Sequence, residues 1–393
     1  MPKAMDGQGW CTRARMQGWV WALIGLLIMG PAAAQRDDPA ANLAQIQLPE
    51  GFAIQVYARV PGARSLAYAP ELNALFVGSR RDVVHVVMDR DGDGVGETVF
   101  PLAEDLRVPN GIAYSGGFLY VAENHRIIRF DLTGWEPGRP VEPEVVYDGL
   151  PRYDHHGWRY LAIGPDGRLY VALGAPCNIC AVEDPLATIA RLNADGTGFE
   201  VFARGVRNSV GMDWHPVTGE LFFTDNGGDM LGDDVPADEL NHAPRTGLHF
   251  GYPYYAGGRT RSPQFPGPVP VAEVTFPVVE FEAHTASLGV HFYRGAMFPD
   301  AYRHDAFVAQ HGSWNRTEPI GYRVMRVRFD EEGQPVGQEV FAHGWLRSNG
   351  TAWGRPVDLE ELPDGSLLVS DDYAGLIYRV TYLPGPGSSP TYP

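Results

Sequence analysis

Short apolar runs separated by tight polar turns set the rhythm of this chain. From residue 52 onward the runs are strand-length, the turns are rich in Pro, Asp, Gly and Asn, and little helical periodicity is present. Residues 153–174 show the unit: a polar opening at Asp154, His155 and His156, an apolar strand, the turn Pro165-Asp166-Gly167, and a second strand closed by Gly174. Two strands around such a turn make a β-hairpin. The same grammar recurs at 65–78, 110–123, 209–225, 288–310 and 357–371, with turns near residues 72, 116, 166, 218, 300 and 364. The turn spacings are 44, 50, 52, 82 and 64 residues. Strand-rich repeats near this length predict an all-β fold, a six-bladed β-propeller of four-stranded antiparallel blades over residues 44–383. A β-sandwich would show shorter, more even spacing and no internal repeat. Further strands at 126–130, 189–192 and 322–329 complete blades, and 376–382 is placed to pair with 52–58 and close the ring, which removes exposed edges. The widest gap holds 251–258 and reads as a long functional loop.

A hairpin brings the start of its first strand and the end of its second to one edge of the sheet. Six hairpins around an axis therefore gather Arg64, Asn110, His156, Arg207, Asn208, His284 and Arg355 with Arg80, Glu123, Asn124, Asp225, Asn226, His311, Asp371 and Asp372. The intervening strands are apolar, so these positions predict a polar pocket on one face.

Composition adds three constraints. Residues 1–34 have the layout of a secretory signal peptide: Arg13 and Arg15, an apolar stretch from Trp19 to Met29 too short to span a bilayer, then Ala32, Ala33 and Ala34. The expectation is a periplasmic or secreted protein with no stable membrane insertion after cleavage, a flexible segment at 35–43, and a flexible Pro/Gly/Ser tail at 384–393. Beyond residue 34 the chain holds 28 basic and 47 acidic side chains, a net of −19, which disfavours nucleic acid and anionic membranes as partners. The single lysine is Lys3, so the fixed cations of the exported chain are arginines, suited to bidentate grips on carboxylates.

Cys177 and Cys180, in Pro-Cys-Asn-Ile-Cys, lack the following His of a haem attachment motif and the βαβ context of a redox motif; a loop-stapling disulfide is the reading for an exported chain. A neutral histidine at the pocket is a candidate general base, and neighbouring arginines suit an anionic ligand or a developing oxyanion. No Gly-x-Ser-x-Gly elbow and no Gly-x-Gly-x-x-Gly between strand and helix is present. Two stretches are candidate calcium sites. Asp89, Asp91 and Asp93 alternate as in an EF-hand loop, although the twelfth position is Phe100; an acidic turn is the competing reading. The second runs from Asp225-Asn226-Gly227-Gly228-Asp229 through Asp233, Asp234, Asp238, Glu239 and Asn241, whose oxygen donors favour calcium over zinc.

At His155-His156-Gly157-Trp158-Arg159, Gly205-Val206-Arg207-Asn208-Ser209-Val210-Gly211, Asp225-Asn226-Gly227-Gly228 and His311-Gly312-Ser313-Trp314-Asn315-Arg316 the sequence resembles the sorbosone dehydrogenase family, relatives of the soluble aldose and glucose dehydrogenases that use pyrroloquinoline quinone. The resemblance spans roughly residues 45–383. It implies a quinone on the axial face, calcium, and oxidation of an aldose at its anomeric hydroxyl to a lactone, or of a sugar aldehyde such as sorbosone, with hydride passing to the quinone. The family's catalytic histidine stands eight residues before the Gly-Pro-Asp turn, which selects His156; His155 stands where soluble glucose dehydrogenases tend to carry an aspartate. Arg207 and Asn208 match the pair that contacts the quinone oxygens, with Arg207 also stabilising charge in the reaction. Gly227 and Gly228 match backbone ligands of the cofactor calcium. Arg355 and Asp372 match polar contacts of the last blade, and Asn110 takes a place often held by glutamine. Where some relatives grip the quinone carboxylates with lysine, Arg316 or Arg323 must substitute here, and its place in the loop favours Arg316. Electrons then leave to an external acceptor: a quinone, a dye or a cytochrome. The competing functions are a calcium-dependent propeller lactonase, with side-chain carboxylate ligands on the axis, and a non-enzymatic glycan- or protein-binding propeller. His215 and His249 read as structural, Trp158 as packing, and Asp225 as a possible ion-pair partner for Arg207.

Overall fold

The computed structural model describes residues 38–383. Among them the strands form a six-bladed β-propeller. Blade 1 comprises Ala63–Ala69, Ala74–Ser79, Val84–Met88 and Thr98–Ala103; blade 2 comprises Gly111–Ser115, Phe118–Ala122, Ile127–Asp131 and Glu144–Tyr147. Blade 3 comprises Leu161–Ile163, Leu169–Leu173, Thr188–Leu192 and Glu200–Arg204; blade 4 comprises Met212–Trp214, Leu221–Asp225, Ala237–Ala243 and Val279–Ala283. Blade 5 comprises Ser287–Phe292, Ala306–Gln310, Arg323–Phe329 and Pro335–His343. Blade 6 takes Pro356–Glu361, Leu367–Asp371 and Leu376–Tyr382 from the end of the chain and Phe52–Arg59 from its beginning. That pairing runs antiparallel from Phe52↔Tyr382 to Arg59↔Leu376 and closes the ring as the sequence predicts.

One blade departs from four strands. Leu248–His249, from the wide loop of blade 4, lies parallel to Glu200–Arg204 and extends blade 3 to five. The reason lies in backbone pairing: Glu200–Arg204 would otherwise be an open edge, and the long insertion can reach it.

The strands read as continuous apolar runs because both faces of each blade are buried against neighbours. Successive side chains point to opposite faces. Leu75 packs between blades 6 and 1 while Phe76 packs between blades 1 and 2; Phe223 faces blade 3 while Phe222 faces blade 5. Near the axis the innermost strands crowd. A Cβ at Gly211 would lie 2.2 Å from the Leu288 carbonyl, and one at Gly289 would lie 2.4 Å from the Asp358 carboxylate. Only glycine permits that approach. At the face remote from the predicted pocket, the innermost strands surround an axial opening of about 220 Å³ whose wall includes Glu360. Burial pushes Asp358 up to about 7, and burial with the Asp358 charge pushes Glu360 up to about 8.

Residues expected to be flexible up to 43 are in part ordered. Pro39–Gln45 forms a short 3-10 helix with proline in its first turn; Asp38 caps it through the Ala40 amide and holds Arg59 in an ion pair. The expected signal peptide and tail lie outside the described residues. Among the described residues no helix is long and apolar enough to cross a membrane.

Two measurements test this architecture. Phe52 sits on the closing strand, edge-on to Phe298, Phe341 and Tyr382 with centroids 4.8–5.0 Å away. Phe52→Ala is expected to cost about 3 kcal/mol in denaturant unfolding. A carboxyl whose folded pKa is raised holds a proton that the unfolded chain releases, so its contribution falls as pH rises through that window. Glu360→Gln is therefore expected to gain stability over the unmodified chain from about pH 5 to about pH 8, by up to about 1.4 kcal/mol per pH unit.

Candidate active site

A cavity of about 400 Å³ opens where the inner strands begin, on the face predicted from the hairpin ends. Blade 1 contributes Arg64 and Arg80, the entry to blade 3 His155, His156 and Trp158, and the entry to blade 4 Arg207 and Asn208. Asn226, Gly227 and Asp229 follow the second strand of blade 4, and His311, Trp314 and Asn315 follow that of blade 5.

His156 is held by its backbone and by one ring nitrogen. Its φ is 49°, a left-handed conformation that a residue with Cβ adopts only under constraint. Arg159 supplies that constraint. It is fully buried and bonds no carboxylate; instead Nε donates to the Asn124 carbonyl at 3.1 Å, Nη2 to Pro151 at 2.6 Å and Nη1 to His156 at 3.5 Å. Burial lowers its pKa to about 10, so it remains charged near neutrality. Asn124 completes the clamp by donating to the carbonyls of Tyr153 and Gly157. The Nδ1 of His156 lies 2.9 Å from the Ala175 carbonyl, which fixes the proton on Nδ1 and leaves Nε2 as the acceptor. Burial, then the charges of Arg207 and His155, push its pKa down to about 2, so the ring is neutral. His155 is adjacent, with ring centroids 4.0 Å apart.

Arg207 pairs with Asp229 at 2.8 Å, not with Asp225. The Asp225 carboxylate is occupied by the backbone amides of Arg207 and Asn208 at 2.7 and 2.5 Å. Arg207 also donates to the carbonyl of Asn226, and to both the carbonyl and the side-chain oxygen of Asn178. Across the cavity Asp372 takes three donors: Arg64 at 3.1 Å, Arg80 at 3.2 Å and His311 at 2.8 Å. These neighbours hold its carboxyl well below the usual range despite burial, while burial pushes His311 down to about 4. Two guanidinium groups on one carboxylate leave one positive charge in surplus. Both lie against the Trp158 ring, at 4.7 and 5.2 Å from its centroid.

The structure brings His156, Arg207, Asn208 and Gly227 into the cavity and leaves other predicted site residues behind its wall. Asn110 is fully buried and accepts from Arg64 Nε at 2.7 Å, so it orients that arginine. Asp372 acts likewise on Arg64, Arg80 and His311. Arg355 bonds the carbonyls of His311 and Gly312 and supports the blade 5 loop. Arg316 does not reach the cavity, because its guanidinium ties loops together through the carbonyls of Asp233, Ala283 and Glu318. Arg323 is spent on Glu282 and Gln310. The sequence put Arg80 at the pocket rim and Asp229 among the metal candidates, but it named neither of them, nor Asn315, as a ligand-binding residue; all three line the cavity. The end of each hairpin's second strand was the signal available: Arg80 and Asp229 lie one and four residues beyond Ala74–Ser79 and Leu221–Asp225.

The metal candidates separate too. Gly227 and Gly228 are buried, and among the described residues their carbonyls accept no hydrogen bond, so both remain free to ligate. Asp233 accepts from the Thr317 amide and Asp234 lies 3.6 Å from Arg316, so the pair links blades 4 and 5 outside the cavity. Asp89 and Asp91 gather with Glu97, at the ninth loop position instead of the twelfth, with oxygens within 4.8 Å of one another; Asp93 stands outside that group and accepts from Val95. Cys177 and Cys180 form a disulfide. The long loop buttresses the site without lining it: Ala256 accepts from the Gly228 amide and Glu239 from that of Gly258. His215 accepts from the amides of Val217 and Thr218, and His249 from that of Gly251, both away from the cavity.

Comparison with known proteins places the chain among relatives. The model of a domain of unknown function, DUF7133, matches residues 65–388. An uncharacterized protein of Borreliella burgdorferi is 32% identical over 351 residues, covering 86% of this chain and 91% of that one. Among solved structures, the calcium structure of the Trichoderma reesei family AA12 carbohydrate-active enzyme superposes with a TM-score of 0.73 at 20% identity, covering 90% of this chain and 99% of that one. The holo form of the pyranose dehydrogenase PQQ domain from Coprinopsis cinerea gives 0.70 at 20% identity, covering 86% and 97%. The PQQ-bound aldose sugar dehydrogenase of Streptomyces coelicolor gives 0.59 at 20% identity, covering 85% and 100%. At that identity they show the propeller fold.

The clamp on His156 is testable without a ligand. Arg159→Lys cannot reach three carbonyls with one ammonium group. It is expected to cost about 2 kcal/mol of stability and to replace the single Nδ1–H tautomer of His156 by a mixture in ¹⁵N histidine spectra.

Proposed function

The chain belongs to the DUF7133 family, and we propose that it is a quinoprotein oxidoreductase acting on sugars, with pyrroloquinoline quinone and calcium in the axial cavity. The observation that carries this reading is His156: neutral, with Nδ1–H committed to Ala175 and Nε2 left as the acceptor, beside the anchored guanidinium of Arg207. The printed descriptions of the structural neighbours, sugar dehydrogenases with PQQ among them, support the same class.

The residues present fit such a cofactor. A ligand with several carboxylates needs several cations, and the cavity offers Arg64 and Arg80 on one wall and Arg207 on the other. These replace the lysine of some relatives and take the place expected of Arg316. The Asn315 side-chain oxygen is buried without a partner, and the Asn208 side chain lines the cavity with no hydrogen bond among the described residues. The carbonyls of Gly227 and Gly228 are the donors for calcium. When bound, the quinone supplies the two-electron acceptor for hydride, chemistry that no side chain provides.

The chain's own groups do the rest. His156 Nε2 takes the proton of the sugar hydroxyl, and the Ala175 carbonyl steadies the resulting imidazolium through Nδ1–H. Arg207 and Asn208 present donors to developing negative charge, and Asp229 and Asn178 hold the guanidinium so that little reorganisation is needed. A lactonase binding calcium through side-chain carboxylates is less well served: Asp229 is engaged by Arg207, and Asp238 by the Gly227 amide and the Thr285 hydroxyl. The Cys177–Cys180 disulfide supports an oxidising compartment, periplasmic or extracellular. The sugar, whether an aldose or a sugar aldehyde such as sorbosone, is read from an assay panel.

Apo-protein given pyrroloquinoline quinone and calcium is expected to reduce a dye with aldoses or sugar aldehydes; no binding and no dye reduction would refute the reading. His156→Ala should lower turnover by about 10²–10⁴-fold with quinone affinity retained, and Arg80→Gln should weaken that affinity about tenfold. Because His156 is neutral far below its ordinary value, kcat/KM should show no acid limb near 6.5, the unperturbed imidazole pKa.

A further inference from the structure

The loop closed by Cys177 and Cys180, with Ala175 just before it, touches four members of the site: His156, Arg207, Asp229 and Gly228. Ala175, just before it, accepts from His156 Nδ1 at 2.9 Å and donates its amide to the Arg207 carbonyl at 2.8 Å. Asn178, between the cysteines, accepts from Arg207 Nε through its carbonyl at 2.9 Å and from Arg207 Nη2 through its side-chain oxygen at 2.7 Å. The same oxygen accepts from the Asp229 amide at 2.8 Å, and the Asn178 side-chain amide donates to the Asp229 carbonyl at 2.9 Å. Ile179 lies against Gly228: a Cβ there would stand 3.0 Å from its Cδ1. The far end of the loop is pinned where the Cys180 amide donates to the buried Tyr252 hydroxyl at 3.0 Å.

A residue that bonds both a guanidinium and that guanidinium's carboxylate partner sets the geometry of the pair. Asn178 has no regular strand around it to hold it there, since residues 174–187 lie between two strands of blade 3. The crosslink across three residues supplies the missing restraint. Both cysteines are half-buried, so a small thiol can reach them.

We infer that Asn178 is the positioning residue for Arg207 and that the Cys177–Cys180 disulfide keeps it in place, so that thiol–disulfide exchange at this loop governs how tightly the cavity holds a carboxylate-bearing ligand. The ligand part of this inference rests on the quinoprotein reading; the positioning part does not. Reduction by an external dithiol breaks one S–S bond, delivers two electrons and two protons to give two thiols, and converts the dithiol into its cyclic disulfide. Freed, the loop lets Arg207 exchange protein acceptors for water.

The test uses the folded, calcium-loaded protein in three forms: oxidised, reduced with dithiothreitol, and Asn178→Ala with its disulfide intact. Amide hydrogen exchange at Ala175 and Asp229 reports the loop directly. Reduction and Asn178→Ala should each speed exchange at Asp229 by about tenfold or more, with reduction also releasing Ala175, while amides of Leu169–Leu173 stay protected. The dissociation constant of pyrroloquinoline quinone, followed by absorbance, should rise about tenfold in both altered forms. Asn178→Asp, which keeps the oxygen that Arg207 needs, should recover most of that affinity. Unchanged exchange at Asp229 after both treatments would overturn the inference, as would an Asn178→Ala protein that loses thermal stability but not quinone affinity. If the oxidised protein binds no quinone, the quinoprotein reading fails and the exchange data alone decide the positioning role.

Discussion

The pairing of Phe52–Arg59 with Leu376–Tyr382 is the constraint on which everything else depends. It joins the two ends of the fold and turns a row of hairpins into a ring with an axis. Without an axis the polar hairpin ends are scattered surface groups. With one, Arg64 and Asp372, 308 residues apart in sequence, become an ion pair. Register matters as much as pairing. Every blade is buried on both faces, so a slip by one residue would exchange the side chains that face the two neighbouring blades. The bulge at Val56/Ala58 belongs to the register that is observed.

Ring closure concentrates charge, and the cavity distributes it by layer. The inner layer carries guanidinium groups, a neutral imidazole and Asp229; the other balancing acid, Asp372, sits behind it. Asp372 stands behind Arg64 and Arg80, and Asp229 is turned toward Arg207 at the wall. The ordering has a physical consequence. Burial first, and then the Arg207 charge, keep His156 unprotonated, and the Ala175 carbonyl decides which nitrogen is left as an acceptor. Buried acids without an ion-pair partner are pushed upward instead: Asp225 by burial, and Glu239 by burial and by the Asp225 charge.

The same layering explains what could be read from sequence. Turn spacing made the propeller legible, because a repeat survives any uncertainty in a single strand. The hairpin ends made the pocket face legible, and His156, Arg207 and Asn208 fall there as expected. What sequence could not resolve is which member of a rim pair turns inward. Asn110 and Asp372 belong to the right rim, yet they face Arg64, because a buried arginine beside them needs an acceptor and a counter-charge. Arg316 was favoured from loop position, but position in a loop says nothing about which carbonyls the folded loop brings within reach. Glu97 escaped notice because the acidic loop closes at its ninth residue. The strand Leu248–His249 hides in a segment whose partner lies in another blade.

A chain with a single lysine, itself outside the described residues, must build every fixed cation of its site from arginine, and that shapes the site. An ammonium group on a flexible stem is held mainly at its tip, whereas a guanidinium can be fixed along several directions at once. Arg207 bonds four acceptors from Asn178, Asn226 and Asp229; Arg159 bonds three carbonyls and no carboxylate at all. One arginine forms the wall of the cavity and the other is scaffold for the loop that carries His156, yet both work by the same geometry. Charges fixed in this way have little left to reorganise when negative charge develops in front of them, which is what a preorganised site requires. The cost is that their acceptors must be supplied by neighbouring loops. The loops at 151–157 and 175–180 are therefore as much a part of the site as the side chains that line it.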